Sequence, residues 1–286
     1  MKEQRRDLCG VPAPFQRVRI DKIDLAYSDS GSGTPVVCLH AIGHGGADFV
    51  PLRDRLGSRF RFVLLDWPGQ GRSGSDVQPT DAGRYAQLLG GLLTHLGLRD
   101  VVLLGNSIGG AAAMRLAATR PEIVRGLVLA NSGGLMPVDA VARVACRLSA
   151  RFFAAGARGA RWFAPAFRLY YSQVLSGKAA RGQRERIVGA AYEIAPLLQQ
   201  AWTSFAQPDA DQRALAPRIT CPVLCAWARQ DQILKLSRSQ AAIKTFPNAR
   251  VQLFNGGHSA FLEDPDAFAA AFASFVDAIA PAAAAA

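Results

Sequence analysis

Ser107 stands in a short segment whose residue types suit a nucleophile. The segment Gly-Asn-Ser-Ile-Gly at 105–109 follows the apolar run VVLL and precedes IGGAAAMRLAAT, which has helical spacing. A serine on a strand-to-helix turn is held in a strained conformation with its hydroxyl above the sheet, and the two glycines let neighbouring backbone pass closely. The first N–H groups of the helix favour negative charge at the same point. The pattern therefore predicts Ser107 as a nucleophile.

A serine hydroxyl needs a general base, which is normally histidine. Of the four histidines, His95 falls near the C-terminus of a helical pattern, and His40 and His44 fall in the loop after the first parallel strand. His258 lies in a glycine-rich turn, NGGHS, between the last strand and the last helical pattern. Such a turn can aim an imidazole at the carboxyl edge of the sheet, where open α/β sheets bind ligands. We predict His258 as the base, with an ordinary surface histidine as the alternative.

The histidine in turn needs a carboxylate that orients it. Asp231 follows the apolar run VLCAW and precedes His258, which gives the chain order Ser, Asp, His that accompanies a serine on a strand-to-helix turn. Asp139 is the second candidate, and an aspartate that only caps the next helix is the alternative for either residue. We predict Asp231 as the acid.

The elements that must position these residues alternate between short β-branched runs and longer helical patterns. This alternation predicts an α/β fold with a mostly parallel sheet and helices on both faces. Residues 15–28 suit an antiparallel hairpin that turns near Asp21. The predicted strands of the main sheet are 36–39, 61–65, 101–104, 127–130, 223–227 and 251–254, and the predicted helices are 81–96, 108–119, 237–246 and 266–279. Residues 1–136 and 207–286 would form the core domain.

Residues 137–206 interrupt the alternation, because they contain no convincing strand and have helical spacing instead. One helix there would carry two stripes. The apolar stripe is Val141, Val144, Leu148 and Phe152, and the basic stripe is Arg143, Arg147 and Arg151. Residues 143–186 hold nine Arg and one Lys against one Glu, a net charge of +9. This helical insertion therefore carries nearly all of the chain's formal charge of +11.

Composition and length exclude several classes of protein. With 286 residues, half of them hydrophobic, the chain can bury a sizeable core, so a collagenous or disordered protein is excluded. No signal-peptide pattern and no run approaching about twenty apolar residues is found, which predicts a cytoplasmic protein with no membrane span. The five cysteines lack metal-ligand spacing, and we predict no metal and no cofactor. No recognition motif accompanies the basic residues, so nucleic acid is not a predicted partner.

From the first hairpin to the last helix the chain resembles α/β-hydrolase-fold proteins. The resemblance is carried by LHAIG at 39–43, DWPGQGRS at 66–73, GNSIGG at 105–110, and the loops of Asp231 and His258. It implies that the N–H groups of Ile42 and Ile108 form an oxyanion hole. Ala41 departs from the pattern, since alanine replaces the usual glycine and disfavours positive φ. The block 66–73 is similar to a structural loop of the family, and we expect Asp66 to pair with Arg72.

The resemblance also bears on the reaction. The related dehalogenases and epoxide hydrolases attack with aspartate, whereas this chain has Ser107, so the serine branch of the family is implied. We predict a carboxylesterase-like hydrolase that cleaves a carboxylic ester or a related acyl bond, such as a thioester or lactone, of a small-molecule substrate through an acyl-enzyme. A carbon–carbon hydrolase of ring-cleavage products is the alternative, although those enzymes usually have Trp after the catalytic histidine and this chain has Ser259. A non-catalytic small-molecule-binding protein of the same fold is the alternative of another class.

The insertion 137–206 corresponds in position to the family's lid, which covers the pocket and selects the substrate. Three interpretations of its positive charge stay open. The charge could belong to a solvated helix face, to a landing surface for an anionic carrier or a membrane, or to a pocket arginine that binds a substrate carboxylate.

Overall fold

The computed structural model describes residues 9–279. Eight strands of this part of the chain form one sheet in the order β1-β2-β4-β3-β5-β6-β7-β8. The strands are β1 (Gln16–Ile20), β2 (Ile23–Ser30), β3 (Thr34–Leu39), β4 (Phe60–Leu65), β5 (Val101–Ser107), β6 (Val124–Ser132), β7 (Val223–Ala228) and β8 (Ala249–Phe254).

The sheet is mostly parallel, as the sequence predicts. Strands β3 to β8 all run in one direction, while β1 and β2 form an antiparallel hairpin and β2 pairs antiparallel with β4. The hairpin turns at Asp21 and Lys22, which both have positive φ, as a tight two-residue hairpin turn requires. Because β3 to β8 are parallel, their carboxyl ends meet at one edge of the sheet.

Helices follow the strands, and ten α-helices lie within residues 9–279. They are α1 (Val50–Leu56), α2 (Ala82–His95), α3 (Ile108–Thr119), α4 (Ala140–Ala157), α5 (Phe163–Val174), α6 (Arg181–Gly189), α7 (Ala191–Ser204), α8 (Leu236–Ile243), α9 (Ala260–Glu263) and α10 (Pro265–Ala278). Helices α1 and α9 were not predicted from the sequence. Both are short, and a short apolar segment gives too few turns for a helical period to be recognised.

The core lies on both faces of the central strands. All seven residues of β5 are buried, and so are all six residues of β7. Such continuous burial is typical of parallel strands covered by helices on both sides. The loops at the carboxyl edge therefore start from a rigid frame.

Helices α4 to α7 all belong to the segment of the chain that connects β6 to β7. Aromatic side chains pack among these helices, and Phe153 of α4 stacks on Trp202 of α7 with ring centroids 6.3 Å apart. Phe163 and Phe167 of α5 are fully buried. The division of the chain into a core domain and a lid at 137–206 stays a prediction.

Among the described helices, none has both the length and the apolar character needed to cross a bilayer.

Candidate active site

Ser107 is the last residue of β5 and directly precedes α3. Its backbone has φ 54° and ψ −118°, a conformation that L-residues rarely adopt. The turn is possible because Gly105 and Gly109 lack side chains. A Cβ on Gly105 would lie 2.5 Å from the Cα of Gly110, and one on Gly109 would lie 2.2 Å from the carbonyl oxygen of Leu39. The glycine spacing in the sequence is thus required by close backbone contact at this turn.

His258 and Asp231 form a buried pair. His258 Nδ1 lies 2.9 Å from Asp231 Oδ2, and both side chains are almost fully buried. Asp231 lies in the loop after β7, and His258 lies in the loop after β8. With Nδ1 engaged by the carboxylate, Nε2 is the imidazole nitrogen left for another partner.

Asp231 is held as a carboxylate by several donors. Its Oδ2 accepts from the side chain of Asn131 at 2.7 Å, and its Oδ1 accepts from the backbone N–H groups of Ile233 and Leu234 at 2.7 and 3.0 Å. Burial raises the pKa of Asp231, but the charge of His258 and these hydrogen bonds outweigh burial, so the pKa is lowered from its ordinary value. The group therefore stays ionised beside His258.

The loop that carries His258 is tied to the rest of the site by its backbone. The His258 N–H donates to the carbonyl of Val174 at the end of α5, at 2.7 Å. The His258 carbonyl accepts from the side-chain amide of Asn106 at 2.9 Å, and the oxygen of that amide accepts from the Ser259 hydroxyl at 3.0 Å. Since Asn106 directly precedes Ser107, the loop of the histidine is bonded to the turn of the serine.

His40 and His95, two of the weaker candidates for the base, do not take this position. His40 Nε2 accepts from the Trp67 N–H at 3.0 Å, and Nδ1 lies 2.7 Å from the Ala41 carbonyl, so both ring nitrogens have backbone partners. Burial lowers the pKa of His40 to about 4. His95 is the exposed last residue of α2. Neither is bonded to a carboxylate in the part of the chain that the structure describes.

Ile42 and Ile108 both line the cavity that contains Ser107. Ile108 is the first residue of α3, so its N–H lies at the positive end of the helix dipole. The loop of Ile42 is braced by Gln70, whose side-chain oxygen accepts from the Gly43 N–H at 2.6 Å. Ala41 is not among the described non-glycine residues with positive φ. Alanine therefore fits at this position without backbone strain.

Ser107 and His258 face one cavity of about 530 Å³ between the sheet edge and helices α4, α5 and α7. Its lining is mainly apolar. Apolar lining residues include Ile42, Ile108, Val138, Tyr170, Tyr171, Val174, Leu198, Trp202, Phe205, Ile233 and Leu234. Arg115, Lys235 and Arg238 also line it, whereas Arg143, Arg147 and Arg151 are not among the lining residues.

His44 lines the same cavity and belongs to a second histidine–carboxylate pair, which sequence reasoning missed. His44 Nδ1 lies 2.5 Å from Asp48 Oδ2, and both side chains are buried. The side-chain amide of Gln183 in α6 donates to Asp48 Oδ1. The His44 ring lies 5.9 Å from the ring of Tyr171. The spacing of four residues between His44 and Asp48 was the available signal.

The remaining aspartates singled out from the sequence have structural partners. Asp66 accepts from the N–H groups of Val11, Gly46 and Arg72 at 2.7–2.9 Å. The expected pairing with Arg72 thus goes through the backbone of Arg72, not its guanidinium. Burial raises the pKa of Asp66 to about 6. Asp139 caps α4 by accepting from the Ala142 N–H at 2.8 Å.

Within residues 9–279, no group of three or more His, Cys, Asp or Glu side chains is arranged to hold a metal ion.

Comparisons with known proteins show the family of the chain. The chain matches the alpha/beta hydrolase family over residues 36–271, and it belongs to that family. It is 28% identical over 247 residues to the putative carbamate hydrolase RutD of Azorhizobium caulinodans. That alignment covers 86% of this chain and 92% of that protein. It is 26% identical over 254 residues to a 2-hydroxy-6-oxononadienedioate/2-hydroxy-6-oxononatrienedioate hydrolase of Pseudomonas sp, and the alignment covers 84% of this chain and 87% of that protein.

Solved structures show the same fold. A thermophilic esterase from Thermogutta terrifontis matches with a TM-score of 0.78 and 23% identity, over 93% of this chain and 99% of that one. The predicted α/β-hydrolase fold is therefore confirmed.

Proposed function

We propose that the protein is a serine hydrolase that cleaves a carboxylic ester through Ser107, His258 and Asp231. The observation that carries the proposal is the strained turn at Ser107, which opens into the same cavity as a histidine already paired with a carboxylate. A nucleophile, a base and an orienting acid within one cavity are the components of acyl transfer.

In the first half of the reaction, Ser107 Oγ attacks the ester carbonyl carbon while its proton moves to His258 Nε2. The carbonyl oxygen becomes negatively charged and accepts hydrogen bonds from the N–H groups of Ile42 and Ile108, which we propose as the oxyanion hole. His258 then gives its proton to the leaving alcohol as the carbon–oxygen bond breaks. The product of these steps is an acyl-enzyme on Ser107.

In the second half, His258 takes a proton from water, and the hydroxide attacks the acyl-enzyme. Collapse of this second tetrahedral intermediate returns the proton to Ser107 and releases the carboxylic acid. Asp231 stabilises the imidazolium formed in both halves and keeps Nδ1 as the protonated nitrogen in the resting state. The lowered pKa of Asp231 is consistent with this role, since the acid has to stay charged.

The cavity supports a small or medium-sized apolar acyl group. Its volume of about 530 Å³ lies in the range of small-molecule pockets, and its walls are mostly aliphatic and aromatic. We propose that helices α4 to α7 act as the lid predicted at 137–206, because α4, α5 and α7 supply the cavity wall opposite the sheet.

A carbon–carbon hydrolase of ring-cleavage products is the second candidate. Two observations favour it, namely the similarity to the Pseudomonas hydrolase and the presence of Lys235 at the cavity, where a cation could bind a substrate carboxylate. Arg115 and Arg238 also line the cavity, but they are already in ion pairs with Asp209 and Asp139. The basic stripe of α4 does not contribute to this candidate, since Arg143, Arg147 and Arg151 do not line the cavity.

The test is a substrate survey with wild type and Ser107→Ala. We expect turnover of p-nitrophenyl esters of short to medium acyl length, lost in the variant, and much slower turnover of vinylogous diketones and acyl thioesters. A preference for the diketones would instead assign the carbon–carbon hydrolase. Binding of these ligands without turnover of any would assign the non-catalytic alternative. The predicted cytoplasmic location and the predicted anionic carrier at the insertion stay predictions.

A further inference from the structure

The outward side of α4 exposes apolar residues that a surface helix ordinarily buries. Val141, Val144 and Leu148 are 70%, 54% and 58% exposed, although they recur at helical spacing on one side of the helix. The side that packs on the protein carries Cys146 and Phe153 instead. The apolar stripe seen in the sequence is therefore an exposed surface.

The exposed stripe continues to the turn that precedes α5. Phe152, the half-buried last member of the stripe, has its ring 5.9 Å from that of Trp162, and Trp162 is 56% exposed. From Val141 to Phe152 the helix rises by about 16 Å at 1.5 Å per residue. A continuous apolar row thus runs along α4 and ends on an exposed indole.

Three arginines lie beside this row. Arg143, Arg147 and Arg151 are exposed, and none of them is in an ion pair with any residue that the structure describes. The sequence has no Asp or Glu between residues 140 and 184, so no acid of this segment neutralises them. We define the outer face of α4 as these three arginines together with Val141, Val144, Leu148 and Trp162.

The outer face of α4 also borders the cavity. Val141 belongs both to the exposed row and to the cavity lining, and Ala142, Ala145 and Ser149 of the same helix line the cavity as well. Whatever binds the outer face therefore lies next to the cavity.

We propose that the outer face of α4 docks on an anionic lipid surface, with the helix lying in the headgroup region. A helix with an apolar row flanked by arginines is the pattern that binds such surfaces, because the apolar side chains enter the acyl boundary and the cations contact the phosphates. Tryptophan is enriched at the same depth of a bilayer. Nucleic acid would pair the arginines but leave the exposed Val, Leu and Trp side chains in water.

A single apolar row along one helix can lie in the plane of a lipid surface over its whole length, as interfacial amphipathic helices do. Docking would be peripheral, and it is independent of catalysis. Binding can therefore be measured without substrate, and its failure would leave the proposed function untouched.

The experiment is co-sedimentation of the full chain with vesicles of phosphatidylcholine alone or with about 30% phosphatidylglycerol. We expect the anionic vesicles to bind at least about tenfold more tightly, and we expect this binding to weaken when the salt rises from about 50 to about 500 mM. The emission of Trp162 should shift to shorter wavelength on binding, and the shift should be absent in Trp162→Phe.

Two variants separate the contributions of charge and apolar contact. The first replaces Arg143, Arg147 and Arg151 by Gln, and the second combines Val144→Ser with Leu148→Ser; each should weaken binding about tenfold or more. A control variant with the same loss of charge replaces three exposed residues outside the insertion, Arg99, Arg218 and Lys244, by Gln. We expect this control to bind vesicles like wild type. Turnover of a small neutral ester should be unchanged in all three.

Several results would overturn the proposal. Equal binding to neutral and anionic vesicles would show that charge does not select the surface. If the control variant lost as much vesicle binding as the triple arginine variant, net charge and not the outer face of α4 would drive binding. Binding without a shift in Trp162 emission would place the docking surface elsewhere. Binding of an acyl-carrier protein but not of vesicles would assign the outer face to a protein partner.

Discussion

Two buried histidine–carboxylate pairs each place their histidine at one cavity, and they differ in what surrounds them. His258 and Asp231 come from two loops that follow neighbouring strands. His44 and Asp48 lie four residues apart between β3 and α1, with Asp48 in a short 3₁₀ helix. The loop of His258 is bonded through Asn106 to the turn that carries Ser107. His44 instead lies beside Tyr171. A histidine and a carboxylate are therefore not enough to define a catalytic base, because the pair also has to be fixed relative to a nucleophile.

The largest expected effect comes from removing one imidazole of each pair. His258→Ala should lower kcat for a p-nitrophenyl ester by about a thousandfold or more, because Ser107 loses its base. His44→Ala should lower kcat by less than about tenfold, since it removes a cavity wall and not the base. Steady-state kinetics of the two purified variants, with circular dichroism to verify folding, makes the comparison. Similar losses in both would contradict the separation of roles.

The carboxylates of the two pairs should differ in the same way as their histidines. Asp231→Asn should lower kcat by about a hundredfold or more, because the amide cannot stabilise the imidazolium at His258. Asp48→Asn should have a much smaller effect, and so should Asp139→Asn, since Asp139 caps α4 at an exposed position. Kinetics of the three variants on one ester tests this order. A dominant effect at Asp139 would show that the acid lies after β6.

Asn106 should have an intermediate effect, because it positions the histidine loop without touching substrate. We expect Asn106→Ala to lower kcat about tenfold to a hundredfold with KM nearly unchanged, and to lower the free energy of unfolding by about 1–3 kcal/mol as buried partners lose hydrogen bonds. Ser259→Ala removes one of these contacts and serves as the milder control. A rise in KM with kcat unchanged would indicate that Asn106 shapes the pocket instead.

The smallest expected effect is on stability in acid. The pKa of Asp231 is lowered in the folded protein, so the carboxylate stabilises the fold above its unfolded pKa of about 3.9, and this contribution is lost as the pH falls through the folded pKa. The difference in free energy of unfolding between wild type and Asp231→Asn should therefore be largest above about pH 4 and shrink below it. Urea unfolding at several pH values measures this difference, and a gap that widens in acid would contradict the assignment.

Local patterns explain what could be predicted from the sequence. The β-branched runs predict the buried parallel strands, and the glycines around Ser107 predict a turn that only small neighbours permit. The choice of Asp231 and His258 rests on their order in the chain and on their loops, which follow parallel strands and so lie at one edge of the sheet. The catalytic roles of these residues stay predictions until they are tested.

Long-range contacts explain what could not be predicted. Asn106 is hydrogen-bonded to the His258 loop, which lies 152 residues away in the chain, and Asn131 is hydrogen-bonded to Asp231 across 100 residues. No local sequence pattern predicts either contact. Asp48 likewise meets Gln183 across 135 residues. The apolar stripe of α4 is a different case. Periodicity shows that Val144 and Leu148 share one side of a helix, but not whether another element covers that side.

The most direct test of the serine hydrolase assignment is covalent labelling with a fluorophosphonate, followed by mass spectrometry of the digested protein. We predict a single modified residue, Ser107, with labelling abolished in Ser107→Ala, strongly slowed in His258→Ala and close to wild type in His44→Ala. Ester turnover that persists without modification of Ser107, or modification of a different residue that abolishes turnover, would contradict the account.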